Sequence, residues 1–271
     1  MNRTQRSHLE AALLTRLPAP AAFTAAEVAE LPAPVRRHLV GAITPGTPLA
    51  MAVRLRMRGS IKIGRWLPFR ARQVLAPHRG FVWTARVAAL ITGSDHYAEG
   101  HGGMDWTVAG LVPLVHAEGG DVSRSAAQRA GAEACWVPTA LLPRFGATWW
   151  ADDDMHIGVS HSVDGETVRT CYELTADGRI RSFVFDRWGD PDNTGSWGWH
   201  PFGGEITAWA TFGGVTVPSA GRVGWFFGTG RWAEGEFFRY RITDLAPITP
   251  ERRGTSDRVD GPPERAEKDR S

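Results

Sequence analysis

The spacing of apolar and polar positions changes period along the chain. Leu9, Leu13, Leu14 and Leu17 recur at helical spacing until Pro18 and Pro20 end the run. Thr24 and Glu27 have capping-box spacing, and Pro32 and Pro34 open a third short helix ending near Gly41. From Met51 the period falls to two: Val53, Leu55 and Met57 alternate with Arg54, Arg56 and Arg58, and the alternation resumes after Gly59 as Ile61, Lys62, Ile63. That pattern predicts a strand with one buried face and a row of arginines on the other. Further strands are expected at 81–87, 148–163, 166–174, 180–187, 206–212, 222–227 and 236–243. Asp164-Gly165 and Asp177-Gly178 mark hairpin turns, because such turns need positive φ. Ser125 with Gln128 predicts the start of one alanine-rich helix inserted among the strands, ended by Pro138 and Pro143.

Together these elements predict a β-dominated α+β fold: a curved antiparallel sheet or open barrel, one packed helix and an N-terminal helical segment. The expected divisions are a helical segment at 1–48, an antiparallel β domain at 49–246 with the inserted helix at 123–142, and a disordered tail at 247–271. The tail is expected because Glu, Asp, Arg, Gly and Pro dominate it and leave almost nothing apolar to bury.

Composition narrows the partners. The formal net charge of the 271 residues is +2, which argues against nucleic acid. Of the 31 basic residues only Lys62 and Lys268 are lysines, leaving 29 arginines. A GC-rich genome accounts for such a bias, and an arginine-based phosphate site is the alternative. No apolar run approaches the ~20 residues that a membrane span requires. Met1–Pro18 lacks an uninterrupted apolar core of the secretory kind, so a cytoplasmic location is expected, consistent with two cysteines that share no motif spacing.

The chemistry-bearing candidates are few. If Tyr97–Trp106 is one strand, Tyr97, Glu99, His101 and Asp105 share a face, and His101 with Asp105 forms an acid/base dyad. A solvated polar face is the plainer reading. Arg129 and Glu133 are i,i+4 in the order that adds least to helix stability, so a pair stitching helix to sheet, or a carboxylate held over a pocket, explains them better. The histidine pairs His96/His101 and His156/His161 are five apart, on opposite strand faces, which disfavours a metal; no metal and no cofactor are expected. His161 reads as a core histidine and Asp152–Asp154 as a solvated turn. Twelve tryptophans, many beside glycine, outnumber three tyrosines. Trp106, Trp136, Trp188, Trp225 and Trp232, with Arg231, are the candidate lining of a pocket, since a glycine neighbour leaves room against an indole face.

Arg58-Gly59, Trp66-Leu67-Pro68-Phe69, Gly103-Met104-Asp105-Trp106, Arg129-x-x-x-Glu133-x-x-Trp136-x-Pro138, Arg187-Trp188-Gly189 and Gly228-Thr229-Gly230-Arg231-Trp232 with Glu236-Phe237-Phe238 resemble an uncharacterised bacterial family over about Leu31 to Thr243. That resemblance implies no activity. The expected fold is also similar to curved-sheet lipoprotein carriers, an analogy of shape that does not transfer function.

The leading functional expectation is binding of an apolar or aromatic, lipid-like small molecule in a tryptophan-lined β cup. The alternative is a cofactor-independent isomerase, hydratase or cyclase, with Glu133 as acid or base, Arg129 orienting it, and His101 and Asp105 as partners.

Overall fold

A computed structural model of the protein describes residues 1, 3–15 and 21–249. The chain begins with α1 (Arg3–Leu13) and α2 (Ala33–Ala42), then runs through six strands in succession: β1 (Ala52–Ile63), β2 (Arg65–Ala76), β3 (Gly80–Val87), β4 (Ile91–Ala98), β5 (His101–Val108) and β6 (Val112–Glu118). It crosses as α3 (Gly120–Ala132) and returns through β7 (Thr148–Ala151), β8 (His156–Val163), β9 (Glu166–Leu174), β10 (Ile180–Gly189), β11 (Gly198–Phe212) and β12 (Val215–Trp225). A single helical turn, α4 (Trp232–Gly235), leads into β13 (Glu236–Ile248).

All 13 strands form one antiparallel sheet, open and curved. The order follows from the chain path: the first six strands walk outward to one edge, the last seven walk inward from the opposite edge, and β13 closes against β1. The molecule therefore has two wings joined at β1/β13, and α3 is the bridge between the free edges. It packs on β3–β6 of one wing and β8–β10 of the other, across the inner face. Glycine makes both approaches possible. A Cβ on Gly102 of β5 would stand 2.8 Å from Ser123 Cα, and one on Gly131 of α3 would stand 2.6 Å from Val168 Cβ of β9.

The alternation in β1 has the expected outcome: Val53, Leu55 and Met57 are buried and Arg54, Arg56 and Arg58 exposed. Both Asp-Gly turns are present, with φ of 47° and 90° at Asp164-Gly165 and 83° at Gly178. The inner face carries the main core, including Phe69, Phe81, Trp83, Trp106, Trp136 and Tyr240. On the outer face, α1 covers Val74, Val82 and Ala98 through Leu13. Phe23, Val28, Val35, Leu39 and Ile43, from and around α2, pack with Trp149, Ile157 and Tyr172 of the second wing.

Several expectations need correction. Tyr97–Trp106 is not one strand, because Glu99-Gly100 (φ 53° and 81°) is a two-residue turn joining β4 to β5. The 148–163 strand is two strands, separated at Asp152–Asp154, where Asp153 Oδ1 accepts the N–H groups of Met155 and His156 at 2.7 Å. The inserted helix begins at Gly120, so Ser125 is no cap; its hydroxyl faces β10 instead. Past Ala132 the helix tightens into short 3₁₀ turns at Glu133–Trp136 and Pro138–Leu141. β13 runs to Ile248, into the segment expected to be tail. The rest of that segment, from Pro250, lies outside the described residues, as does Arg16–Pro20. Among the described residues no helix is long and apolar enough to cross a membrane.

Candidate functional site

Strand parity assembles a charged cluster on the inner face beneath α3. Gln73, Trp83 and Asp95 sit directly opposite one another on β2, β3 and β4, and so point the same way. Arg129 on α3 reaches down to this row. Its Nη1 donates to Asp95 Oδ2 at 2.8 Å and its Nε to Glu133 Oε1 at 2.8 Å, while the guanidinium lies 4.3 Å from the Phe81 ring centroid. The other carboxylate oxygens are also engaged: Trp106 Nε1 donates to Asp95 Oδ1 at 2.9 Å, and Gln73 Nε2 to Glu133 Oε2 at 2.5 Å. Burial works against the charge on Arg129, but Glu133 and Asp95 outweigh it and hold the guanidinium firmly protonated.

Arg187 of β10 enters the same cluster from the second wing. Its Nε donates to Ser125 Oγ at 3.2 Å, and its guanidinium lies over the rings of Phe202 (4.6 Å) and Trp225 (5.1 Å). No carboxylate pairs with it and its two terminal nitrogens make no hydrogen bond among the described residues, and the residue is half-buried. Burial, reinforced by the like charge of Arg129, pushes the Arg187 pKa down to about 9, and Glu133 and Asp95 only partly oppose this. The cluster is enclosed by protein on most sides, yet Arg129, Glu133 and Asp95 keep 19, 17 and 14% of their side-chain surface. Phe183, Phe238, Met104, Val223 and Trp225 around it are likewise only half-buried. These partial exposures let water reach the charges from among the rings.

The residues singled out from the sequence are not all brought together. Arg129 and Glu133 are paired and joined to the sheet through Asp95. His101 and Asp105 lie on the other face of β5, with Gly103, whereas Gly102, Met104 and Trp106 face α3. There they border a hollow of about 820 Å³ shared with His96, His116 and Glu118. Asp105 pairs with His116 (2.8 Å), and His101 Nδ1 lies 2.7 Å from the carbonyl of Glu99. The sheet thus separates the expected dyad from Glu133, and both oxygens of Glu133 already accept hydrogen bonds. That arrangement does not bring Glu133 together with His101 or Asp105.

The tryptophans divide as well. Trp106 and Trp136 are buried in the core, Trp136 donating to the Pro218 carbonyl at 3.0 Å. Trp188 donates to Asp121 Oδ1 at 2.7 Å near the start of α3, and Trp232 packs edge-on to Phe227. Only Trp225 shares the space around Arg187. Arg231, expected to be open to a carboxylate ligand, is occupied: its fork holds Asp192 (2.6 and 3.2 Å), its Nε holds Glu234, and it covers the Phe226 ring. Asp95, Gln73, Phe202 and Arg187 are the members that sequence reasoning missed. The available signal for Arg187 was parity, since it shares a face of β10 with the buried Phe185 and Gly189.

A model of a family of unknown function (DUF6544) matches residues 21–237. The chain belongs to that family. The motifs from Arg58-Gly59 to Glu236-Phe237-Phe238 fall within or at the boundary of the match, as the resemblance implied. No curated protein matches the sequence. Among solved structures, the family member is similar to a domain named for outer membrane lipoprotein sorting from Vibrio parahaemolyticus. Identity is 8% and the TM-score 0.40, over 74% of this chain and 87% of that one. A LolA superfamily protein from Nitrosomonas europaea is similar at 8% identity and TM-score 0.43, over 80% and 93%. At that level neither protein's role transfers to this chain.

Proposed function

We propose that the protein binds an amphipathic anion, an apolar or aromatic body carrying a carboxylate or phosphate, in the recess beneath α3. The observation that carries this reading is Arg187: a half-buried guanidinium walled by Phe202 and Trp225, with no carboxylate partner and no hydrogen bond at its two terminal nitrogens among the described residues. Arg129 sits beside it with its charge already matched by Asp95 and Glu133, so it does not compete for the ligand's anion. An anion at Arg187 would form charge-assisted hydrogen bonds, worth about 1.5–3 kcal/mol each in a partly buried site. The apolar part would lie along Trp225, Phe202, Phe183 and Met104. Nothing in this arrangement requires bond making, and the saturation of Glu133 supports binding over acid/base catalysis.

Native mass spectrometry of the purified protein tests the reading. The expected result is a retained acidic small molecule that is lost from Arg187→Met while the variant stays folded. Retention of the same molecule by Arg187→Met, or retention of a neutral or cationic one, contradicts it.

A further inference from the structure

We propose that the outer face and hairpin rim of the β1–β6 wing dock on an anionic phospholipid bilayer. Arg86, Arg70, Arg58 and Arg241 stand directly opposite one another across β3, β2, β1 and β13. Adjacent strands are ~4.8 Å apart, so the four cations span about 14 Å in a row. None of the four forms a side-chain ion pair or hydrogen bond with another described residue, and all are exposed. They line a shallow hollow of about 940 Å³ together with Ala88 and Ala89 of the β3–β4 turn. Like charges directly opposite one another destabilise a sheet. A row four strands wide is therefore a cost of folding, and a polyanionic surface would offset it. The chain's net charge of +2 conceals this concentration, because the balancing carboxylates lie elsewhere.

Apolar side chains project beside the row. Leu90, Leu111 and Val112 are 63, 83 and 61% exposed. The Ala109 N–H donates to the Leu90 carbonyl at 2.7 Å, so the β3–β4 and β5–β6 tips abut as one prominence, and exposed Leu114 and Val115 extend it along the edge strand. Apolar tips flanked by unpaired arginines suit the boundary between acyl chains and anionic headgroups. A nucleic acid would want open ring faces among the cations. Trp66, the ring beside this row, is already covered by Arg239 at 4.3 Å. A symmetric contact with a second copy through this face would set one arginine row against another.

Flotation of the full chain with vesicles tests the proposal. Binding is expected to phosphatidylcholine vesicles containing phosphatidylglycerol, not to phosphatidylcholine alone, and it should fall as salt rises. Each arginine near such a surface contributes about five-fold in affinity, so Arg70→Gln with Arg86→Gln should weaken binding roughly 25-fold. Leu111→Asp, at a position too exposed to affect folding, should weaken it at unchanged melting temperature. These variants leave Arg187 in place and should retain the small-molecule ligand, which separates this proposal from the previous one. Absence of binding to either vesicle, undiminished binding by both variants, or tighter binding to a short DNA duplex than to vesicles would overturn it.

Discussion

Arg129→Met removes the guanidinium that joins α3 to the sheet while keeping an unbranched side chain over Phe81. In the wild type this one group satisfies Asp95 and Glu133 at 2.8 Å each. In the variant both carboxylates keep only neutral donors, Trp106 and Gln73. Removing one partner from a buried pair costs about 3–5 kcal/mol. Serving two carboxylates argues for the upper end, but the 14–19% residual exposure of the three side chains admits water, and the lower end is the better value. A loss of about 3 kcal/mol should lower Tm by roughly 6–12 °C for a chain of this size. Urea unfolding of wild type, Arg129→Met, Asp95→Asn and the double variant at pH 7 measures the coupling. A cycle with a coupling energy below about 0.5 kcal/mol would falsify the network.

His161 and Gly131 provide two further tests. Burial first, and the nearby His78 second, push the His161 pKa down to about 4 from 6.5, so the unfolded chain takes up a proton between those values that the folded one refuses. Stability attributable to His161 should be constant above pH 7 and fall by about 3 kcal/mol as pH drops from 6.5 to 4; a wild-type minus His161→Asn difference that is flat across this window would contradict the assignment. Gly131→Ala should gain up to ~1 kcal/mol of helix propensity, yet its Cβ would meet Val168 Cβ at 2.6 Å, so a net loss of about 1–3 kcal/mol is expected, relieved by Val168→Ala. A stabilised Gly131→Ala would show that α3 does not approach β9 so closely.

Much of the fold was legible because its signals are local. The β1 alternation and the two Asp-Gly turns each depend on a few adjacent residues, and each has its expected structure. The elements that escaped are those whose inward positions are polar or whose faces are both exposed. β2 carries Pro68 and an inward Gln73, and β4 carries an inward Asp95 that is intelligible only once Arg129 lies above it. β6 is exposed over most of its length and so shows no alternation of burial. At the site, Arg129 and Glu133 could be paired from i,i+4 spacing alone. Their link to Asp95, 34 residues away, and to Arg187 on the far wing arises from how the sheet curves, and leaves no periodic trace. Parity correctly set His101 and Asp105 on one face but could not say which face α3 would cover. The Ser125 capping signal was misleading for a related reason, as its hydroxyl is used by Arg187.

The most direct test of the central claim is calorimetric titration of wild-type protein and Arg187→Met with a long-chain fatty acid and with the alcohol of the same chain length. An anion seated on Arg187 predicts that the wild type prefers the acid by about ten-fold or more, from one charge-assisted hydrogen bond. Arg187→Met should bind acid and alcohol alike, and a negative heat-capacity change should accompany each binding event as the chain is buried. Equal wild-type affinity for acid and alcohol, or a preference for the acid that survives Arg187→Met, would contradict it.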